Sequence, residues 1–390
     1  MKWSCGVTSQ WMTGYCTNVH AGTDIAQIRN NLDQVAVAVR EKLVASSMGV
    51  GLWIPAEAAS ELAAPNASAE FASWLADRHL IPFTINGFPY GNFHQPVVKH
   101  RVYLPTWWET PRRDYTLQLV EILHRILPAG QSGSISTLPL GWGEPQPSGE
   151  QMQQAAANLK QVAERLAQIE QESGRRIVIA IEPEPGCAID TTDDMIKFFD
   201  EYLPGANLRR YLTVCHDICH AAVMCEDQSV VLRRYADAGI GIGKVQVSSA
   251  IEVPWHAMQP DAQRAAIDQL AGFAEDRYLH QTMVVSKTGQ QRLVEDLPEL
   301  LASSDPTQDH SWRIHFHVPI YLDRFGQLNA TQPAVVECIG ALSATEGLDF
   351  SGHMEAETYA WGVLPSELKV DNLADGIAEE MRWLQLQTGR

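Results

Sequence analysis

A closed (β/α)8 barrel, the TIM-barrel class, is the fold this sequence predicts, and three observations predict it. Short β-rich runs alternate with longer segments of helical period along the chain, the pattern of a parallel sheet with helices outside it. The alternation repeats eight or more times, which favours closure over an open doubly wound sheet. The first run lacks a G-x-G-x-x-G turn and no G-x-x-x-x-G-K-[ST] loop occurs, so dinucleotide and phosphate-loop architectures have no support.

The elements follow in order. Residues 15–22 (YCTNVHAG) read as the first strand and lead into DIAQIRNNLDQVAVAVREKLV, whose apolar positions recur at helical spacing. Residues 48–56 are the second strand, followed by an Ala-rich helical stretch ending near Leu80. Residues 81–91 are the third, followed by a long loop to about Trp108 and a helix over 115–127. The loop is long enough to be a lid over a barrel mouth. Residues 132–141 are the fourth, with a long helix over roughly 149–172. Residues 175–186, 211–220 and 241–250 are further strands, and helices are expected near 258–275 and 333–346. Residues 312–320 and 348–359 are the last strand-like runs, and a helix near 374–387 closes the chain.

That makes nine strand candidates for eight barrel positions. Residues 286–311 are polar and loop-like, so the segment of approximately 280–325 is read as an excursion between the last two barrel strands. No Pro/Gly/Ser linker divides the chain, and residues 1–390 are read as a single TIM-barrel domain.

Composition narrows the function. The chain carries 29 basic and 47 acidic residues, a net charge of −18, with no basic block. That argues against nucleic acid and against an anionic membrane surface. No apolar run reaches the ~20 residues that span a bilayer, and MKWSCGVTSQWMTGYC is not a signal peptide. Seven scattered cysteines, an odd number, suit a reducing cytoplasm better than a disulfide framework.

The chemistry is legible by parity, because alternate strand residues point into a barrel and active sites form at the C-terminal strand ends. In IVIAIEPEPG, Val178, Ala180, Glu182 and Glu184 share the inward face. In YLTVCHDICH, Thr213, Cys215 and Asp217 do, His220 turns back over the mouth, and His216 faces the helix layer. Lys244, Gln246 and Ser248 form a polar inner set; Arg313, His315 and His317 share a face, as do His353, Glu355 and Glu357. The first strand contributes Cys16, Asn18 and His20, and the third Thr84 and Asn86. A cup of carboxylates with imidazoles costs energy unless a cation sits among them, and an oxygen-rich set with one or two nitrogens suits Mn²⁺, Mg²⁺ or Zn²⁺. Asp217 has a second reading as the N-cap of a following helix. Cys215 and Cys219 lack a second cysteine pair at zinc-site spacing and read as buried small hydrophobes.

A Glu ending one strand, D-x-x-H ending the next and a late Glu before an aromatic resemble the xylose isomerase-like sugar-phosphate isomerase/epimerase barrels. The longer motifs FTINGFPYGNFH, SISTLPLGW, IEPEPGC, CHDICHAAV, IGKVQVSSA, HFHVP and ETYAWGVLP resemble the metabolite traffic protein EboE family of that superfamily. The resemblance implies one divalent metal ion on Glu182, Asp217, Gln246 and Glu357. Gln246 stands where the superfamily commonly has a histidine, and His317 is a candidate to complete the set. The resemblance implies that His220 faces substrate. Glu182, Glu357 and His220 are the expected catalytic residues, and Asn18, His20, Asn86, His317 and Trp361 the expected substrate contacts.

The expected activity is metal-dependent isomerisation or epimerisation of a sugar or polyol by proton transfer, in processing or export of a secondary-metabolite precursor. Cluster-encoded protein partners go with that setting. Two other classes stay open. A metallohydrolase of the same superfamily would use several metals. A non-catalytic carrier would bind a metabolite in the barrel mouth and pass it on.

Overall fold

The computed structural model describes residues 11–303, 308–365 and 368–389. Cys5 and most of the N-terminal stretch lie outside the described residues. The strands run in chain order as β1 (Met12–Cys16), β2 (Met48–Trp53), β3 (Leu80–Asn86), β4 (Gly133–Thr137), β5 (Ile177–Ile181), β6 (Leu212–Asp217), β7 (Ile242–Val247), β8 (Ser249–Val253), β9 (Thr282–Ser286), β10 (Gln291–Val294), β11 (Asp309–Val318), β12 (Arg324–Phe325), β13 (Leu328–Ala330) and β14 (His353–Ala356).

Eight of them close a barrel in the order β1-β14-β7-β6-β5-β4-β3-β2, and neighbouring barrel strands pair in parallel. β5 shows why the residues fit. Ile177, Ile179 and Ile181 join the core between sheet and helices, while Val178 and Ala180 are buried outside that cluster, on the opposite face. A parallel strand covered on both sides is apolar on both faces. The helix Gly149–Ser173 shows clear start and stop signals. Ser148 and Gln151 form a reciprocal cap, and Gly174 ends the helix at φ 70°. Two helices, Thr192–Tyr202 and Gln228–Asp237, fill places where the sequence reading marked none.

The barrel interior is partly polar. Gly51 makes room for this, since a Cβ there would lie 1.3 Å from Glu355 Oε1. Lys244 and Glu355 are both fully buried.

The ninth strand candidate, WRIHFHVPI, belongs to a second sheet of six strands ordered β10-β9-β11-β8-β13-β12, inserted before the last barrel strand. This sheet starts at Ser249, directly after β7, so the run 241–250 is two strands in two sheets. Residues 286–311, read as loop, include β10 and the helix Leu297–Ser303. On β11, Trp312, Ile314, Phe316 and Val318 face a separate apolar core. The alternation leaves His315 and His317 for the opposite face, toward the barrel mouth.

Candidate metal centre

Asp217 is the residue around which the site is built. It ends β6 and serves two purposes. Its Oδ1 accepts from His220 N at 2.9 Å, capping the helix Ile218–Val223, and from Ser248 Oγ at 2.8 Å. Its Oδ2 is buried and has no hydrogen-bond partner. The cap and the candidate ligand are therefore two oxygens of one carboxylate.

Glu182 follows β5, and Glu357 follows β14. One ligand atom from each of Glu182, Asp217 and Glu357 lies within 4.8 Å of the others, and all three side chains are buried. Glu182 Oε2 has no partner. Glu357 Oε1 is held by Asn18 Nδ2 at 2.6 Å and Asn86 Nδ2 at 2.9 Å. His317 donates from Nδ1 to the Glu357 carbonyl oxygen at 2.7 Å. Its Nε2 is buried, unpartnered and 3.9 Å from Asp217 Oδ2. Gln246 pairs in register with Asp217 on one side and Glu355 on the other, and both its amide atoms are buried without partners.

These groups repel one another. Burial, then the charges of Glu357 and Asp217, push the Glu182 carboxyl well above the carboxylate range. Burial, then Asp217 and Glu355, raise Glu357 to about 8. Burial opposes charge on Asp217 too. There the His220 and His317 rings, the His220 N–H and the Ser248 hydroxyl outweigh it and hold the group below its usual value. Burial lowers His317 to about 4, which keeps its ring neutral and its Nε2 a lone pair. Converging carboxylate oxygens, with Glu182 Oε2 and Asp217 Oδ2 lacking donors, beside a neutral imidazole nitrogen are what a divalent cation takes up. The donor set fits such a cation, with Glu182, Asp217 and Glu357 as ligands and His317 next to them.

The cup opens into a cavity at the barrel mouth. Asn18, Asn86, Glu182, Glu184, Glu357 and the three histidines His220, His315 and His317 give it a polar floor. Phe88, Phe93, Val98, Val102 and Tyr103 from the Gly87–Trp108 loop, with Tyr278, Leu279 and Tyr359, give it an apolar wall. The loop is anchored at its ends by Arg112, which donates to the carbonyl oxygens of Gly87, Phe88 and Pro105. Val98 N and Lys99 N donate to the Arg277 carbonyl oxygen.

Two expected substrate contacts lie off this cavity. His20 pairs with Tyr15 Oη at 2.9 Å and is absent from the lining. The strand stops at Cys16 and the chain turns into the short 3-10 segment Thr17–Val19, so period-two parity no longer applies. Trp361 sits in another such turn, packs over Gly376 and donates from Nε1 to Glu380 Oε2 at 3.3 Å. His220 does line the cavity. His216 turns to the helix layer, where Nε2 meets Gln228 Oε1 at 2.7 Å. Sequence reasoning gave no role to Tyr103 or Gln281, which grip Glu184 from the loop and the added sheet.

No family model matches this chain, and no curated protein does. Solved structures do. A xylose isomerase-like TIM barrel protein from Mycobacterium smegmatis in complex with magnesium is 12% identical, with 99% of each chain covered and a TM-score of 0.53. The IolI protein with a bound zinc atom is 11% identical, with 97% of this chain and 98% of that one covered and a TM-score of 0.48. A sugar phosphate isomerase/epimerase from Parabacteroides distasonis is 8% identical, with 98% of this chain and 96% of that one covered and a TM-score of 0.45. The first of these, with the closed parallel barrel, shows the xylose isomerase-like TIM-barrel fold.

Proposed function

We propose that the protein is a metal-dependent isomerase or epimerase acting on a sugar or polyol by proton transfer between carbon and oxygen. The observation that carries this reading is the convergence of Glu182, Asp217 and Glu357 beside one cavity, with Glu182 Oε2 and Asp217 Oδ2 unpartnered. A divalent cation bound there supplies Lewis-acid polarisation of a carbonyl and a fixed point for adjacent substrate oxygens.

The chain's own residues supply the rest. Glu182 and Glu357 follow strands that are not neighbours in the barrel, so they approach a substrate from different sides. One carboxylate takes the proton from carbon, and the other carboxyl returns one. Positioned groups of this kind typically contribute about 10²–10⁴-fold. Isomerisation needs one such group; epimerisation needs both. Asn18 Nδ2 and Asn86 Nδ2 aim the Glu357 carboxylate, and the buried, unpartnered Asn18 Oδ1 accepts from a substrate hydroxyl. The loop and the added sheet cover the mouth and keep water from the transferred proton.

The EboE-like motifs extend the proposal to a secondary-metabolite precursor as substrate and to cluster-encoded proteins as partners. Among the described residues no helix is long and apolar enough to cross a membrane. The test is hydrogen exchange. Metal-loaded protein incubated with a panel of sugars and cyclic polyols in deuterated water should place deuterium at one substrate carbon, and Glu357→Gln should abolish this. No exchange with any of them in the metal-loaded protein contradicts the reading and leaves a carrier role.

A further inference from the structure

Two imidazoles from different parts of the molecule face each other beside the carboxylate cup. His220 Nε2 and His315 Nε2 are 3.2 Å apart, with the ring planes at 80°. His220 follows β6 in the barrel; His315 lies on β11 in the added sheet.

The other ring nitrogens fix where the hydrogens are. His220 Nδ1 lies 2.8 Å from the Pro183 carbonyl oxygen, which only accepts, so Nδ1 carries the hydrogen. His315 Nδ1 lies 2.8 Å from Gln281 Oε1. Gln281 cannot be turned the other way. Its Nε2 faces Tyr103 Oη at 3.0 Å, Glu184 Oε1 at 3.2 Å and the Pro185 carbonyl oxygen at 3.2 Å, and the last two only accept. Oε1 is thus the acceptor and His315 Nδ1 the donor. In the neutral rings both Nε2 atoms are lone pairs aimed at one another. That contact needs a positive centre between them, either a proton or a metal ion.

Four features favour the metal. A far-side N–H held by a carbonyl or amide oxygen is the usual setting of a ligating histidine. The 3.2 Å separation is close to the edge of a tetrahedron of nitrogens about 2.05 Å from zinc, about 3.3 Å. A third ligand is at hand, because one ligand atom from each of Glu184, His220 and His315 lies within 4.8 Å of the others. Glu184 is fixed by Tyr103 Oη, which donates to Oε1 at 2.7 Å. The charge also calls for more than one dication. Glu182, Glu184, Asp217 and Glu357 line or adjoin the cavity, and the buried Lys244 is committed to Glu355.

We propose that Glu184, His220 and His315 bind a second divalent cation, of zinc type, at the seam between barrel and added sheet. Two nitrogens and one oxygen favour a borderline cation over magnesium. The site faces the cavity, where water or a ligand oxygen can complete it, and it adjoins the ion proposed for Glu182, Asp217 and Glu357, since His220 Nε2 lies 3.9 Å from Asp217 Oδ2.

Metal-free full-length protein is titrated with Zn²⁺ against a chromogenic chelator, and the Co²⁺-loaded protein is read by visible absorption. Wild type should take up two equivalents. His315→Ala should take up one and lose the intense Co²⁺ bands of the imidazole site; Glu357→Gln should take up one and keep them. Gln281→Ala, which frees the His315 ring, should weaken the second equivalent by about 10–100-fold. If His315→Ala does not fold, Gln281→Ala and X-ray absorption of the zinc-loaded wild type carry the test, with imidazole nitrogen expected around zinc. A single equivalent that Glu357→Gln abolishes and His315→Ala leaves intact overturns the proposal. So does an imidazolium proton shared by the two rings at saturating zinc, seen by ¹⁵N NMR. A single equivalent that survives Glu357→Gln but not His315→Ala upholds this site and removes the carboxylate one.

Discussion

Inside the barrel, Lys244 Nζ lies 2.5 Å from Glu355 Oε2, and neither side chain has any exposed surface. The two residues come from strands that are neighbours in the barrel, and Gly51 leaves the space that the Glu355 carboxylate occupies. The pair matters for function because it consumes the buried ammonium. The carboxylates above it must find their positive charge elsewhere.

Removing one partner of this pair should be costly. Lys244→Met leaves a buried carboxylate alone and should destabilise the protein by about 3–5 kcal/mol, while Lys244→Met with Glu355→Met should recover much of that. Chemical denaturation of the two variants and the wild type checks it.

Substituting a carboxylate ligand should remove the cation rather than the fold. Glu182→Gln and Asp217→Asn should each lower cation affinity by well over tenfold in a competition titration. Asp217→Asn should leave stability nearly unchanged, because Oδ1 caps a helix and an Asn cap is nearly as good as Asp.

The residues behind Glu357 should act at a distance. Asn18→Ala or Asn86→Ala frees the carboxylate and should weaken cation binding by about 10–100-fold. Trp361→Phe, off the cavity, should leave that affinity unchanged and lower the melting temperature alone.

Glu380 gives a pH signature free of the cation. Burial raises its carboxyl from 4.5 to about 7, against the Thr358, Ile320 and Trp361 donors. A folded-state value above the unfolded one means that stability present below about pH 4.5 is lost as pH rises through about 7. The swing is at most about 3 kcal/mol. Melting temperatures of wild type and Glu380→Gln should converge or cross between pH 5 and pH 8, with the wild type losing ground as pH rises; a constant difference would contradict this.

Much of the site was legible because barrel strands alternate strictly. Asp217 ends β6 on the same inward face as Thr213 and Cys215, so parity placed it, and it served for Glu182 and Glu357 one residue past their strands. The same parity failed at His20, where a 3-10 turn replaces the extended chain. It also said nothing about Tyr103, Gln281 or the pairing of His220 with His315. Those depend on where an inserted antiparallel sheet lands on the barrel, which local periodicity does not encode. β10 escaped notice for a related reason. It is an edge strand whose Gln291 and Arg292 are exposed, as edges commonly are, and so it reads as loop.

The proposed function requires that Glu182, Asp217 and Glu357 share a cation. Anomalous diffraction from crystals grown with excess Mn²⁺ tests it most directly. A shared cation gives a peak with all three carboxylates within about 2.2 Å of it. Crystals saturated with the metal that show no peak there, with the carboxylates hydrogen-bonded to one another as acids, would contradict it.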